Sequence, residues 1–254
     1  MAENLHREVK EIYEIFSAEY YSGKFASVHS ALDQISIEES SPHSMKRFVI
    51  LYSPPALQPR LLVIGNNPSF FHKNLTDMVD VKASLTRAEN NLDDVAERIP
   101  DSSSYLHHDH KFANDLRRIF DDICQPHWLE EMVGMNSLFV QTGGKGVGRL
   151  KELSIKNEFK DMETLCARLS KRLIEVMKPK LVMFVGAETR DKFSTQQFPR
   201  KFNPTGTSFM DVTHPANKRG GWTVTSNDIK LWFNKFKASS YGRWKEFLPI
   251  IDPL

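Results

Sequence analysis

Arg60-Leu61-Leu62-Val63-Ile64-Gly65-Asn66-Asn67-Pro68-Ser69-Phe70-Phe71 is the stretch that decides the fold. A short apolar run stops at a glycine, and polar side chains follow at once. Roughly four or five apolar residues, buried on both faces, are what a central parallel strand needs. Ligands of open parallel sheets bind just beyond the carboxyl ends of such strands. In this reading Gly65 lets the chain turn closely, Pro68 stiffens the turn and Asn67 points into a crevice. An ordinary exit from strand to loop is the plain alternative for this segment alone.

Two further segments share the pattern. Met132-Val133-Gly134-Met135-Asn136-Ser137-Leu138-Phe139-Val140 is mostly apolar with one amide inside it, so Asn136 is either a satisfied buried amide or a reader of a ligand's hydrogen-bonding edge. Near the far end, Phe209-Met210-Asp211-Val212 runs into Thr213-His214-Pro215-Ala216-Asn217-Lys218-Arg219-Gly220-Gly221. Between them, Lys180 to Gly186 reads as another strand ending in glycine. Helical spacing marks Glu8 to Phe16, His110 to Ile123 and Leu165 to Val176. This alternation of strands and helices predicts a parallel sheet covered on both faces. Residues 73–104 are polar and charged, too long for a connecting loop, and are expected to carry a helix around Val81 to Ile99.

A chain of 254 residues, 40% hydrophobic, with no apolar run near the length of a membrane span, fits one domain with a helical extension over residues 1–45. The charged start argues against a signal peptide, and a cytoplasmic location with no membrane partner is expected. Cys124 and Cys166 are far apart, which supports neither a disulfide framework nor a zinc finger. The net charge of +2 gives no broad electrostatic grip on nucleic acid. Local pairs remain: Lys145 with Arg149, Arg200 with Lys201, and Lys218 with Arg219 would contact phosphates if they shared a face, and would otherwise be scattered solvated charges.

Taken in order, Gly65-Asn66-Asn67-Pro68-Ser69, the Asn136 strand and Thr213-His214-Pro215-Ala216-Asn217-Lys218-Arg219-Gly220-Gly221 resemble the signature segments of the uracil-DNA glycosylase superfamily. The mismatch-specific and single-strand-selective branches, with Gly-x-Asn-Pro-Gly in the first segment, are the most similar. Tyr105-Leu106-His107-His108-Asp109-His110-Lys111-Phe112 looks like the segment that follows it in the mismatch-specific branch. The resemblance covers about residues 60 to 240. It implies an α/β three-layer sandwich with a central, mostly parallel four-stranded sheet and a helical N-terminal extension. It also implies hydrolysis of the N-glycosidic bond of uracil or another deaminated base in lesion-containing DNA, single- or double-stranded, with no cofactor and no metal. The iron–sulfur branches, which use four cysteines, do not fit.

The resemblance assigns Asn67 to the attacking water and His214 to the anion that develops on the departing base. Because an amide is a poor general base, Asn67 would orient water rather than deprotonate it. Asn136 would read the edge of the extruded base, Tyr105 would stack on it, with Phe70 and Phe71 as competitors, and the loop after Gly65 would receive a base carbonyl. Ser69, Lys145, Asn217, Lys218 and Arg219 are the candidates for the DNA backbone and the vacated stack. Ser69 also replaces a bulky tyrosine of the most uracil-strict branch, which implies a wider pocket mouth. Gly143 to Gly148 lacks the spacing of a phosphate loop and reads as a flexible loop that touches DNA. Two other functions stay open at this point: a catalytically silent relative that binds nucleic acid or a nucleobase, and an unrelated α/β enzyme that binds a nucleotide.

Overall fold

The computed structural model describes residues 2–38, 48–66, 99–101, 103, 114, 117, 130–142, 146–185, 189 and 208–212. Their elements, in order, are helices α1 (Ala2–Tyr21) and α2 (Ala26–Glu38), strands β1 (Leu61–Gly65) and β2 (Met132–Asn136), helices α3 (Gly146–Leu153) and α4 (Lys156–Met177), and strands β3 (Leu181–Val185) and β4 (Ser208–Val212). The chain is an α/β protein. β1 pairs in parallel with both β2 and β3, and β3 pairs in parallel with β4, giving the order β2-β1-β3-β4.

The strand residues explain the central place of β1. Leu61, Leu62, Val63 and Ile64 are all buried, so both faces of this strand are covered. In register across the sheet, Leu62 lies beside Val133 and Val182, and Ile64 beside Met135 and Phe184. These six side chains join the core that the helices build. Leu61, Val63, Met132, Met183 and Val185 alternate to the opposite face and are buried too. Because β3 lies across β1 from β2, the connection through α3 and α4 has to cross β1, as parallel pairs require.

Helix α1 buries Leu5, Val9, Ile12, Tyr13, Phe16 and Tyr20, one stripe at helical spacing. Phe16 meets Phe48 and Phe139 edge-on, with ring centroids 4.8 and 5.0 Å apart. The helix stops where the Ser22 hydroxyl donates to the Glu19 carbonyl at 2.7 Å and Gly23 takes φ 86°, a left-handed turn that glycine adopts without strain. Arg172 of α4 ties α1 down through Glu11 at 2.7 Å and Glu8 at 3.0 Å. Helix α4 ends at Lys178, also left-handed at φ 51°, whose N–H donates to the Ile174 carbonyl at 2.8 Å, with Pro179 next in the chain.

Helices α2 and α4 share one capping arrangement at their N-termini. The Glu158 carboxylate accepts from the Ser27 N–H at 2.9 Å and the Ser27 hydroxyl at 2.8 Å, while Ser27 Oγ accepts from the Ile155 N–H at 3.0 Å. Each helix thus supplies partners for the orphan donors of the other, and Glu158 sits where both helix dipoles favour negative charge.

Residues 48–53 form a strap that the alternation of long elements did not foresee. The Val49 N–H donates to the Phe139 carbonyl at 2.8 Å, the Tyr52 N–H to the Gly134 carbonyl at 2.7 Å, and the Asn136 N–H to the Ile50 carbonyl at 3.0 Å. Antiparallel bridges Phe48 to Val140 and Leu51 to Met135 complete it. The strap covers the outer edge of β2, which would otherwise present unpaired backbone groups.

Two expectations from the sequence need correction. Gly146 to Gly148 are not loop; they open helix α3, which packs Val147 and Leu150 into the core. Arg149 is not poised for phosphate either, because it faces Glu38 at 2.7 Å and Glu152 at 3.3 Å, which raises its already high pKa further.

Candidate functional site

At the carboxyl end of β1 the backbone is locked onto the chain that follows β2. The Ser137 N–H donates to the Gly65 carbonyl at 2.8 Å, and both the Leu138 N–H and the Ser137 hydroxyl donate to the Asn66 carbonyl at 2.8 Å. Gly65 stands in register with Asn136. The chain goes from β1 to β2 on one side and then to β3 on the other, so the carboxyl ends of β1 and β3 form the switch point where open parallel sheets hold ligands.

Asn136 is fully buried, and its amide is half satisfied. Nδ2 donates to the Val49 carbonyl of the strap at 2.9 Å. Oδ1 has no hydrogen-bond partner among the described residues. It lies over Gly65: a Cβ placed on that residue would sit 3.8 Å from Asn136 Oδ1 and 3.9 Å from the Met135 carbonyl, both ordinary contacts. Gly65 does not take a left-handed conformation, and the turn expected after it lies beyond Asn66, outside the described residues. Glycine here leaves the nearest atoms of β2 at ordinary contact distance, one of them an acceptor without a partner among the described residues.

Tyr52, partly buried on the strap, lies against the same amide. Burial pushes its phenol up, and the hydrogen bond with the Asn136 side chain pulls it back in part. Next to it, the Ser53 hydroxyl accepts from the Gly134 N–H at 2.9 Å, filling a donor of β2 that the sheet leaves over. Thr189, four residues beyond β3, is buried with its hydroxyl unpartnered among the described residues, and so is Gln141 Oε1 after β2. A buried polar atom without a partner is uncommon enough in a folded chain to call for an explanation.

Of the residues singled out in the sequence, Gly65 and Asn136 are brought side by side. Asn67, Ser69, Phe70, Phe71, Tyr105, Lys145, His214, Asn217, Lys218 and Arg219 lie outside the described residues, as do Arg200 and Lys201, Cys124, and His107, His108, Asp109 and His110. Most of His110 to Ile123, and Val81 to Arg98 of the helix expected within 73–104, lie outside them too. Cys166 is a buried thiol on α4. No group of three His, Cys, Asp or Glu side chains among the described residues is arranged to hold a metal ion. None of the described helices is long and apolar enough to cross a membrane.

Sequence reasoning missed Val49 and Tyr52. For Tyr52 the signal was present: Phe48-Val49-Ile50-Leu51-Tyr52-Ser53 is rich in aromatic and β-branched residues and ends at Pro54-Pro55. No signal marks Val49, which acts through its backbone carbonyl.

No family model matches the chain, and no curated protein matches it. Fold and strand ends together define an α/β protein with a parallel sheet and a buried, half-satisfied amide at the carboxyl end of one strand.

Proposed function

We propose that the protein is a monofunctional DNA glycosylase of the uracil-DNA glycosylase type, acting on uracil or another deaminated base in DNA. The observation that carries the proposal is Asn136 Oδ1, buried beside Gly65 without a partner among the described residues, at the end of the sheet where such a fold binds its ligand. Leaving a buried amide oxygen unpaired costs about 1–3 kcal/mol, a cost that a ligand N–H removes.

In this reading the fold is completed as a three-layer sandwich around a central, mostly parallel four-stranded sheet. The target nucleotide swings out of the stack, because its glycosidic bond is out of reach inside a duplex. Tyr105, Phe70 or Phe71 stacks on the base. Asn67 orients the water that attacks C1′ of the sugar as the bond to the base breaks. His214 donates a hydrogen bond to the departing base, where negative charge gathers; a neutral imidazole suffices. Lys145, Asn217, Lys218, Arg219 and Ser69 contact the backbone, so binding weakens with salt. The reading places the protein in the cytoplasm, without a cofactor, in base-excision repair.

A base-release assay tests the proposal. The chain is incubated with a uracil-containing oligonucleotide, then alkali, and the strand should be nicked. Asn67→Ala combined with His214→Ala should abolish the nick while the variant still folds. Binding without nicking across uracil, hypoxanthine and xanthine would reject the glycosylase in favour of a silent nucleobase binder.

A further inference from the structure

We infer that Ser137 is a positioning residue for Asn67: with the Leu138 N–H, its hydroxyl clamps the Asn66 carbonyl and so aims the peptide unit that leads into the water-orienting side chain. The inference rests on the reading of Asn67 as the residue that holds the attacking water.

In a central strand of a parallel sheet, successive carbonyls point to the neighbouring strands on opposite sides. β1 keeps that rule as far as Gly65, whose carbonyl accepts from the Ser137 N–H at 2.8 Å. The next carbonyl should therefore turn towards β3. Instead the Asn66 carbonyl accepts from the Leu138 N–H and from the Ser137 hydroxyl, both at 2.8 Å, so two successive carbonyls face the chain after β2 and the pleat is broken at Asn66. Both lone pairs of that oxygen are thereby engaged. The donors are themselves fixed. Ser137 and Leu138 are buried, and the strap grips the chain on either side of them, through the Asn136 N–H on the Ile50 carbonyl at 3.0 Å and the Val49 N–H on the Phe139 carbonyl at 2.8 Å.

A peptide unit is planar, so a carbonyl held by two donors holds the whole unit with it. The unit that carries the Asn66 carbonyl is the one that leads into Asn67. One donor leaves a carbonyl free to rock about the bond, and a second, from another direction, stops it. Of the two donors here, the backbone N–H would be present whatever residue stood at 138, whereas the hydroxyl is present only because residue 137 is serine. A side chain that orients water without deprotonating it contributes through its placement, and a misplacement of about 1 Å can cost on the order of 100-fold in rate.

Single-turnover base release from a uracil-containing oligonucleotide tests the inference on the full chain, with affinity measured in parallel on the same strand bearing 2′-fluoro-2′-deoxyuridine. Ser137→Ala should lower the rate by about 10- to 100-fold while affinity stays within about threefold, because the contacts with base and backbone are untouched. Ser137→Thr keeps a hydroxyl and should recover most of the rate. Ser27→Ala, which removes a structural hydroxyl at the junction of α2 and α4, should release the base at the native rate, and this comparison decides alone if Ser137→Thr does not fold. Unchanged release by Ser137→Ala, a parallel loss of affinity, or the same fall in Ser27→Ala would overturn the inference and leave the glycosylase reading standing. A folded Ser137→Thr as slow as Ser137→Ala would overturn it too. No release by the native chain from uracil, hypoxanthine or xanthine overturns both.

Discussion

Replacing Tyr13 with Phe removes a single oxygen, yet that oxygen makes a buried hydrogen bond between α1 and the strap. It accepts the Leu51 N–H at 3.0 Å, and both residues are almost completely buried. Phenylalanine keeps the ring and its contact with Phe48, so little apolar burial is lost. The Leu51 N–H, however, is left in the core without this partner, and an unpaired buried donor costs about 1–3 kcal/mol. For a chain of this size each kcal/mol lowers the melting temperature by about 2–4 °C. Urea unfolding should therefore show a lower midpoint at unchanged slope, and hydrogen exchange should show the Leu51 amide exchanging faster than in the native chain. The strap also holds Asn136, so ligand affinity should fall alongside stability. A stability loss below about 0.5 kcal/mol, with the Leu51 amide still protected, would refute the role given to this bond.

Other changes reach separate parts of the account. Ser27→Ala removes two of the three bonds at the junction of α2 and α4 and should cost about 1–2 kcal/mol. In a double-mutant cycle with Glu158→Gln the two losses should not add, and additivity in urea unfolding would mean that they act independently. Tyr20→Phe deletes a buried hydroxyl with no hydrogen-bond partner among the described residues, so thermal unfolding should show a neutral to stabilising effect of up to about 1 kcal/mol. Burial raises the phenols of Tyr20 and Tyr52 above the ordinary tyrosine value of about 10. Each keeps its proton longer in the folded chain, so the stability it contributes is whole below about pH 10 and is lost as the pH climbs towards the raised value. Tyr52→Phe should flatten that decline in urea midpoints measured across alkaline pH. Gly65→Ala should fold normally, since its Cβ meets only ordinary contacts, whereas Gly65→Leu should lose ligand binding by calorimetry as the larger side chain crowds Asn136 Oδ1.

The parallel strands were legible because they are short apolar runs that end in Gly65, Asn136 and Gly186, and such runs have few other uses. The α1 and α4 stripes were legible from spacing alone. Helix α3 was not: four glycines within six residues, Gly143 to Gly148 including Lys145, read as loop, yet the burial of Val147 and Leu150 and the Arg149 pair with Glu38 outweigh the poor helix propensity of Gly146 and Gly148. The strap was missed because its pairing is with a strand far along the chain, a relation that local pattern does not carry. In the candidate site, an amide inside an apolar run drew notice to Asn136. Which end of the amide is occupied could not be read, since the deciding partner is the Val49 backbone carbonyl, the same atom whatever residue stands there.

The central claim is that the Asn136 oxygen meets the N–H of an extruded base. A crystal structure of the chain with an oligonucleotide bearing 2′-fluoro-2′-deoxyuridine, whose glycosidic bond resists cleavage, measures it directly. The account predicts uracil N3 at hydrogen-bonding distance from Asn136 Oδ1, about 2.7–3.2 Å, with Nδ2 still on the Val49 carbonyl. A base bound elsewhere, or an Asn136 oxygen closed off by the protein's own side chains in that complex, would contradict it.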